Sequence, residues 1–174
     1  MSLPALLLSS ALVIASLAQA VPSSHWFSVA GGCYNFLRPY KRTAEFEMEC
    51  KFRVRALGSP FSFLEFLPLV GVMSNIQGAG YLYAGINFDL LFFEHLVITP
   101  GFAAGYFWNG STKGLGYPLE FRSGVELGWQ FEDLRRLGVH FYHLSNAGLG
   151  QRNPGEESLV LYCDIPLNLI FYNK

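Results

Sequence analysis

Three features of this 174-residue chain predict an all-β protein, an eight-stranded antiparallel transmembrane β-barrel of the outer-membrane type. The first is an apolar N-terminal segment with the features of an export signal. The second is a series of segments in which apolar and polar residues alternate, as in strands with one apolar and one polar face. The third is composition, because 16% of the residues are aromatic and only 14% are charged. In soluble domains about a quarter of the residues are usually charged.

The N-terminal segment is predicted to direct export. Leu6 to Leu17 is mostly apolar, and Ala18-Gln19-Ala20 forms a small-x-small cleavage site. No Lys or Arg precedes the apolar core, so a retained anchor is the alternative interpretation. The run is short for a membrane-spanning helix, which favours cleavage. We therefore expect residues 1–20 to be a signal peptide and residues 21–174 a single barrel domain.

Alternation is clearest in two segments. In Ala44–Ala56, one face carries Phe46, Met48, Cys50, Phe52 and Val54, and the other carries Glu45, Glu47, Glu49, Lys51, Arg53 and Arg55. Tyr117–Phe131 repeats the pattern, with Ser123 as its only apolar-face interruption. Looser runs complete a set of eight strands, the smallest common size of an outer-membrane barrel: Trp26–Leu37, Phe61–Asn75, Tyr81–Phe92, His95–Trp108, Leu137–Ser145 and Glu157–Tyr172.

The connections between these strands also alternate in character. Those after strands one, three, five and seven are looser, whereas those near Gly58-Ser59-Pro60, Phe93-Glu94 and Glu132-Asp133 look tighter. Outer-membrane barrels combine short periplasmic turns with longer extracellular loops. If the N-terminus is periplasmic, the looser set lies outside the cell.

Alternation alone leaves open which face points outward. A soluble, lipocalin-like barrel would put its apolar face around a ligand, whereas an outer-membrane barrel puts that face against lipid. Three observations favour lipid. The polar face of one strand carries both signs of charge, aromatic residues lie near strand ends where interfacial girdles belong, and the charge content is low for a soluble surface.

Three polar residues interrupt apolar faces at one rim of the predicted barrel. His143 and Ser145 share the apolar face of strand seven, and Glu157 shares that of strand eight. Glu156 has the opposite parity and is predicted to point inward or into the loop. The set supplies a nucleophile, a base and a group that orients the base, facing the outer leaflet rather than the lumen. The alternative interpretation is that His143 is an interfacial residue and Ser145 begins a turn.

Other classes of site find little support. The formal net charge of −1 gives no reason to expect a nucleic-acid partner. Cys33, Cys50 and Cys163 are odd in number and irregular in spacing, so no pair suggests a metal site, a redox motif or a disulfide framework. We expect no metal.

The segment His143-Leu144-Ser145-Asn146-Ala147-Gly148, followed by Gln151, Asn153, Gly155 and Glu157, resembles the signature of the lipid A 3-O-deacylase (PagL) family. The close match covers about the last quarter of the chain. Gly116–Gly124 is also similar, less specifically, to exported acyloxyacyl hydrolases. Two departures are Leu144, where the family often has an aromatic residue, and the terminal Asn173-Lys174 in place of a final aromatic residue.

The resemblance implies a Gram-negative outer-membrane enzyme that hydrolyses the ester of the 3-hydroxyacyl chain at the 3-position of lipid A, without a metal or cofactor. It implies that Ser145 is the nucleophile, His143 the general base and Glu157 the residue that orients the base. It also implies an oxyanion hole of backbone N–H groups near Asn146 and Gly148, and lipopolysaccharide in the outer leaflet as substrate.

Two other classes of function stay open. One is a non-catalytic outer-membrane barrel, structural or adhesin-like, and the other is a soluble lipid-binding barrel. The sequence also leaves open the oligomeric state, a homodimer included, the preferred acyl length and any latency of the activity in its native membrane.

Overall fold

The computed structural model describes residues 25–54 and 64–171, which form one closed antiparallel barrel. Each strand pairs with its sequence neighbours, and β1 pairs with β8 to close the barrel. The strands are β1 (His25–Tyr34), β2 (Thr43–Phe52), β3 (Leu64–Asn75), β4 (Gly80–Phe92), β5 (Leu96–Trp108), β6 (Leu119–Gln130), β7 (Arg136–Ser145) and β8 (Glu156–Pro166). The predicted fold class and strand number are confirmed. Among the described residues, no helix has the length and apolar character needed to cross a membrane.

The apolar faces of the strands point outward. In β2, Phe46 is 57% exposed, whereas its neighbour Glu47 is 4% exposed. The same alternation covers the whole surface, with exposed Met48, Val70, Val72, Leu82, Phe102, Val125, Leu127, Val139 and Leu161. A soluble barrel would bury these side chains, so the outward, lipid-facing assignment of the apolar face is confirmed.

Paired charges fill the interior. Lys51 lies 2.8 Å from Glu126 and 3.2 Å from Asp164. Arg122 lies 2.9 Å from Glu49. Buried charges are tolerated when they are paired and hydrogen-bonded, which explains why both signs of charge occur on the inward face of a single strand.

Aromatic residues ring both ends of the barrel, as predicted. At the end where β7 finishes, the exposed aromatic side chains are Tyr40, Tyr106, Trp108 and Tyr117. At the opposite end they are Phe92, Phe93, Trp129, Phe131 and Phe171. The two girdles bracket the apolar surface, as in membrane barrels.

Two boundaries differ from the sequence-based expectation. The strand predicted to continue to Tyr172 ends at Pro166 and is followed by a short helix, Leu167–Phe171. Pro166 is the last residue of β8 that pairs with β1, and proline favours the first turn of a helix. Tyr172 lies outside the described residues.

The second boundary is the end of β2, which was predicted to reach Ala56; the tight connection expected near Gly58-Ser59-Pro60 lies outside the described residues. β2 ends at Phe52, and β3 begins at Leu64. The Arg53 N–H donates to Nδ1 of His25, the first residue of β1, 3.0 Å away. Beyond it, only the isolated bridge between Val54 and Phe66 follows among the described residues.

A cation in the middle of the lipid-facing surface should impair insertion. Val125 is exposed and lies opposite Phe141 and Pro100 on neighbouring strands. We expect Val125→Arg to cost about 2–4 kcal/mol of folding free energy in a bilayer, while Val125→Leu costs little. The folded fraction after refolding into vesicles, followed by heat-modifiable gel mobility, measures the difference. Equal yields from the two variants would contradict the assigned facing.

Candidate active site at the barrel rim

Register brings His143 and Glu157 together on the outer surface. The two residues lie directly opposite each other in the β7–β8 pair, and Nδ1 of His143 is 3.2 Å from Oε1 of Glu157. Their side chains are 40% and 15% exposed. A partly buried carboxylate therefore contacts an imidazole that remains partly exposed. This is the pairing that the parity of the two strands predicted.

Ser145 is the last residue of β7 and lies on the same outward face as His143. It is half-buried, opposite Phe121 of β6, and the Asn146–Gly155 connection begins immediately after it. Below it the outer surface is apolar, with Val125 and Phe141 in the centre of the barrel wall. The nucleophile candidate thus stands where the apolar surface meets the loops.

Glu156 points inward, one of the two directions that its parity predicted. It is fully buried, and its Oε2 accepts the N–H of Asn35 at 3.0 Å and the hydroxyl of Ser158 at 3.1 Å. These bonds join the beginning of the first connection to β8. The two neighbouring carboxylates therefore lie on opposite faces of the barrel wall. Of the two, Glu157 is the one that contacts His143.

Arg38, in the β1–β2 connection, is a part of the site that sequence analysis did not identify. Its Nη2 lies 3.4 Å from Oε1 of Glu157, the oxygen that also faces His143. Its Nη1 donates to the carbonyls of Pro154 and Gly155 at 3.1 and 3.2 Å. The contact joins residues separated by 119 positions, so no local sequence signal could reveal it.

The Asn146–Gly155 connection is tied down by two asparagines. The Asn146 side chain donates to the carbonyls of Leu115 and Arg152 at 2.9 and 2.8 Å. The Asn146 N–H donates to Oδ1 of Asn153, and the Gly148 N–H donates to Oδ1 of Asn146, each at 3.0 Å. The two N–H groups expected in an oxyanion hole thus both face amide oxygens, and their catalytic role stays a prediction.

Gly155 shapes the wall behind the imidazole. Its φ of +55° is in the left-handed region, which favours glycine. A methyl group at this position would lie 2.6 Å from Cε1 and 3.1 Å from Nε2 of His143. Backbone therefore packs directly against the histidine ring. The glycine was part of the sequence motif, but this contact became visible only in the folded chain.

Metal-binding groups do not gather in the described part of the chain, where no three His, Cys, Asp or Glu side chains converge. The imidazole, hydroxyl and carboxylate groups at the rim are instead the groups that acid–base and nucleophilic catalysis use. Fold and site together define an outer-membrane-type barrel with a His–Glu pair and a serine exposed at one rim.

Comparison with known proteins identifies the family. A family model described as lipid A 3-O-deacylase (PagL) matches residues 75–166, more than half of the chain. The chain belongs to the PagL family. The lipid A deacylase PagL of Pseudomonas aeruginosa is 40% identical over 55 residues, which are 32% of this chain and 32% of that protein. This alignment therefore spans about a third of the curated relative.

Solved structures show the same fold. The crystal structure of the outer membrane enzyme PagL superimposes with a TM-score of 0.67 at 21% identity, covering 81% of this chain and 99% of that one. Neisserial surface protein A (NspA) gives a TM-score of 0.52 at 9% identity, covering 83% and 97% of the two chains. The chain thus has the same barrel fold as these two proteins. The predicted signal peptide, residues 1–20, lies outside the described residues and stays a prediction.

Proposed function

We propose that this protein is an outer-membrane esterase that removes the 3-O-linked 3-hydroxyacyl chain of lipid A through Ser145, His143 and Glu157. The observation that carries the proposal is the 3.2 Å contact between Nδ1 of His143 and Oε1 of Glu157 on the lipid-facing side of the rim. Family membership indicates the substrate and the ester. The position of the site, between an apolar wall and polar loops, suits an amphiphile whose acyl chains remain in the leaflet.

In this mechanism the carboxylate of Glu157 accepts a hydrogen bond from Nδ1–H of His143, which keeps the proton on Nδ1 and leaves the lone pair of Nε2 free to act as a base. His143 Nε2 takes the hydroxyl proton of Ser145 while Oγ attacks the ester carbonyl. The tetrahedral intermediate collapses as the sugar oxygen leaves with the proton from Nε2. Water then attacks the acyl-serine by the same route, releases the 3-hydroxy fatty acid and restores Ser145.

Arg38 and Gly155 position these groups. The guanidinium of Arg38 faces Oε1 of Glu157 and, through the Pro154 and Gly155 carbonyls, holds the connection that covers the histidine ring. Gly155 leaves the ring enough room to face Glu157. Preorganised contacts of this kind support catalysis because they need no rearrangement when charge develops.

The backbone N–H groups of Asn146 and Gly148 are assigned the role of stabilising the negative charge that develops on the carbonyl oxygen. Each now donates to an amide oxygen, so the bound substrate has to replace or share those acceptors. The two acceptors are the side-chain oxygens of Asn153, near the end of the connection, and of Asn146, whose buried side chain also donates to the Leu115 and Arg152 carbonyls. The ester oxyanion, which is charged, is a stronger acceptor than a neutral amide.

The neighbouring glutamates provide a matched test of the mechanism. Glu157→Gln keeps the shape of the side chain but removes its charge, and we expect lipid A hydrolysis to fall about 10⁴-fold, as when a triad carboxylate becomes an amide. Glu156→Gln can still accept bonds from Asn35 and Ser158 and should change the rate less than about threefold. Release of 3-hydroxy fatty acid from lipid A in detergent measures both. A large loss from Glu156→Gln with an active Glu157→Gln would overturn the assigned roles.

A further inference from the structure

Charged residues divide unevenly between the two ends of the barrel. The four connections at the rim that carries the site (residues 35–42, 76–79, 109–118 and 146–155) contain no Asp or Glu but contain Arg38, Lys41, Arg42, Lys113 and Arg152. The two fully described connections at the opposite end contain Glu94, Glu132, Asp133 and Arg135. The rim that holds the site is therefore selectively cationic, which favours an anionic partner there.

Two of these cations come together beside the site. Nη1 of Arg38 lies 3.1 Å from the Pro154 carbonyl oxygen, and Nζ of Lys113 lies 3.3 Å from the same atom. Both groups also hydrogen-bond the Gly155 carbonyl. Because they share two acceptors, the guanidinium and the ammonium are close neighbours, although they belong to connections far apart in sequence.

The positive charge of this pair is incompletely balanced. Glu157 is the carboxylate in contact with Arg38, and its Oε1 also faces His143. Backbone carbonyls accept hydrogen bonds without cancelling a formal charge. Burial, and then the charge of Arg38, lower the pKa of Lys113 despite the opposing charges of Glu157 and Glu156. Such an arrangement is stabilised by an added anion near both side chains.

We propose that Arg38 and Lys113 form a subsite for a phosphate group on the sugar of the glycolipid substrate, beside the ester that Ser145 attacks. The subsite rests on the proposed function and assigns two side chains to the recognition of a phosphate on that substrate. Its position agrees with that role, because Gly155 holds both cations through its carbonyl and packs against His143 through its Cα. Arg and Lys with free donors are the usual ligands of phosphate esters.

The test compares two lipids that differ in one group, a 2,3-diacylglucosamine 1-phosphate and the same lipid with a free 1-hydroxyl. Binding of each to the Ser145→Ala protein in detergent micelles is measured separately from turnover by the wild type. We expect the phosphorylated lipid to bind about tenfold more tightly, the size of one charge-assisted hydrogen bond. Lys113→Gln should remove most of this preference, and Lys113→Arg should retain it.

Arg135→Gln, at the opposite rim and paired with Asp133, is the control for a general loss of positive charge. It should leave the preference unchanged. Equal binding of the two lipids to the Ser145→Ala protein would overturn the subsite, as would a Lys113→Gln variant that weakens both lipids equally, which indicates a structural role. If the wild type does not hydrolyse lipid A itself, the proposed function fails, and the binding comparison still decides whether the phosphate subsite exists.

Discussion

Ser145→Ala should leave a folded barrel that hydrolyses lipid A on the order of 10⁶-fold more slowly, because the nucleophile and its base act as one unit. His143→Ala should have nearly the same effect, since an unactivated serine is a weak nucleophile. The double variant should be little worse than either single one. Release of 3-hydroxy fatty acid by purified protein in detergent, with heat-modifiable mobility as the folding control, measures these losses.

Additive losses in the double variant would argue against a shared role for Ser145 and His143. Substantial activity in Ser145→Ala would show that another group attacks the ester. Ser123 lies directly opposite His143 on β6, so it is the next hydroxyl to replace in that event.

Gly155→Ala should inactivate the enzyme without preventing assembly. The new methyl group would lie 2.6 Å from Cε1 of His143, so the ring must turn away from Glu157. The left-handed φ adds a strain of about 1–2 kcal/mol, which a barrel of this size tolerates. Because a displacement of about 1 Å at a catalytic group costs roughly 10²-fold, we expect at least that loss in the rate of hydrolysis.

Gly78→Ala is the matched control for backbone strain. Gly78 has a φ of +81° in the β3–β4 connection, and its added methyl group would meet only the Cα of Gly110, at 3.9 Å. Its activity should stay within about threefold of the wild type. If both glycine variants lose activity equally, loop strain rather than contact with His143 explains the effect.

Much of the fold could be predicted because neighbouring residues in a membrane-barrel strand face lipid and lumen in turn, so that apolar and polar residues alternate in the sequence. Ala44–Ala56 revealed both the strand and its facing, since Phe46 meets lipid and Glu47 meets the charged lumen. The end of β8 could not be predicted in this way. Apolar alternation continues beyond Pro166, but the pairing with β1 stops there, and strand formation depends on a partner that lies far away in sequence.

The same difference applies to the candidate site: residues in strands could be placed from the sequence, and residues in connections could not. Parity sufficed to separate Glu157 from Glu156, because neighbouring residues of a strand face opposite sides. Arg38 and Lys113 stand in connections, where no periodicity fixes direction, and their contacts depend on how loops from three hairpins meet. The hydrogen bonds of the Asn146 and Gly148 N–H groups likewise depend on the path of the loop rather than on the motif.

Mass spectrometry of lipid A from cells tests the central claim most directly. The host is a Gram-negative strain that lacks this activity and carries a 3-O-linked 3-hydroxyacyl chain, and it expresses either the wild-type protein or Ser145→Ala at equal levels in the outer membrane. We predict that the wild type removes the mass of one 3-hydroxyacyl chain and that Ser145→Ala leaves lipid A intact. Unchanged lipid A in cells with folded wild-type protein, or the same loss with Ser145→Ala, would contradict this account.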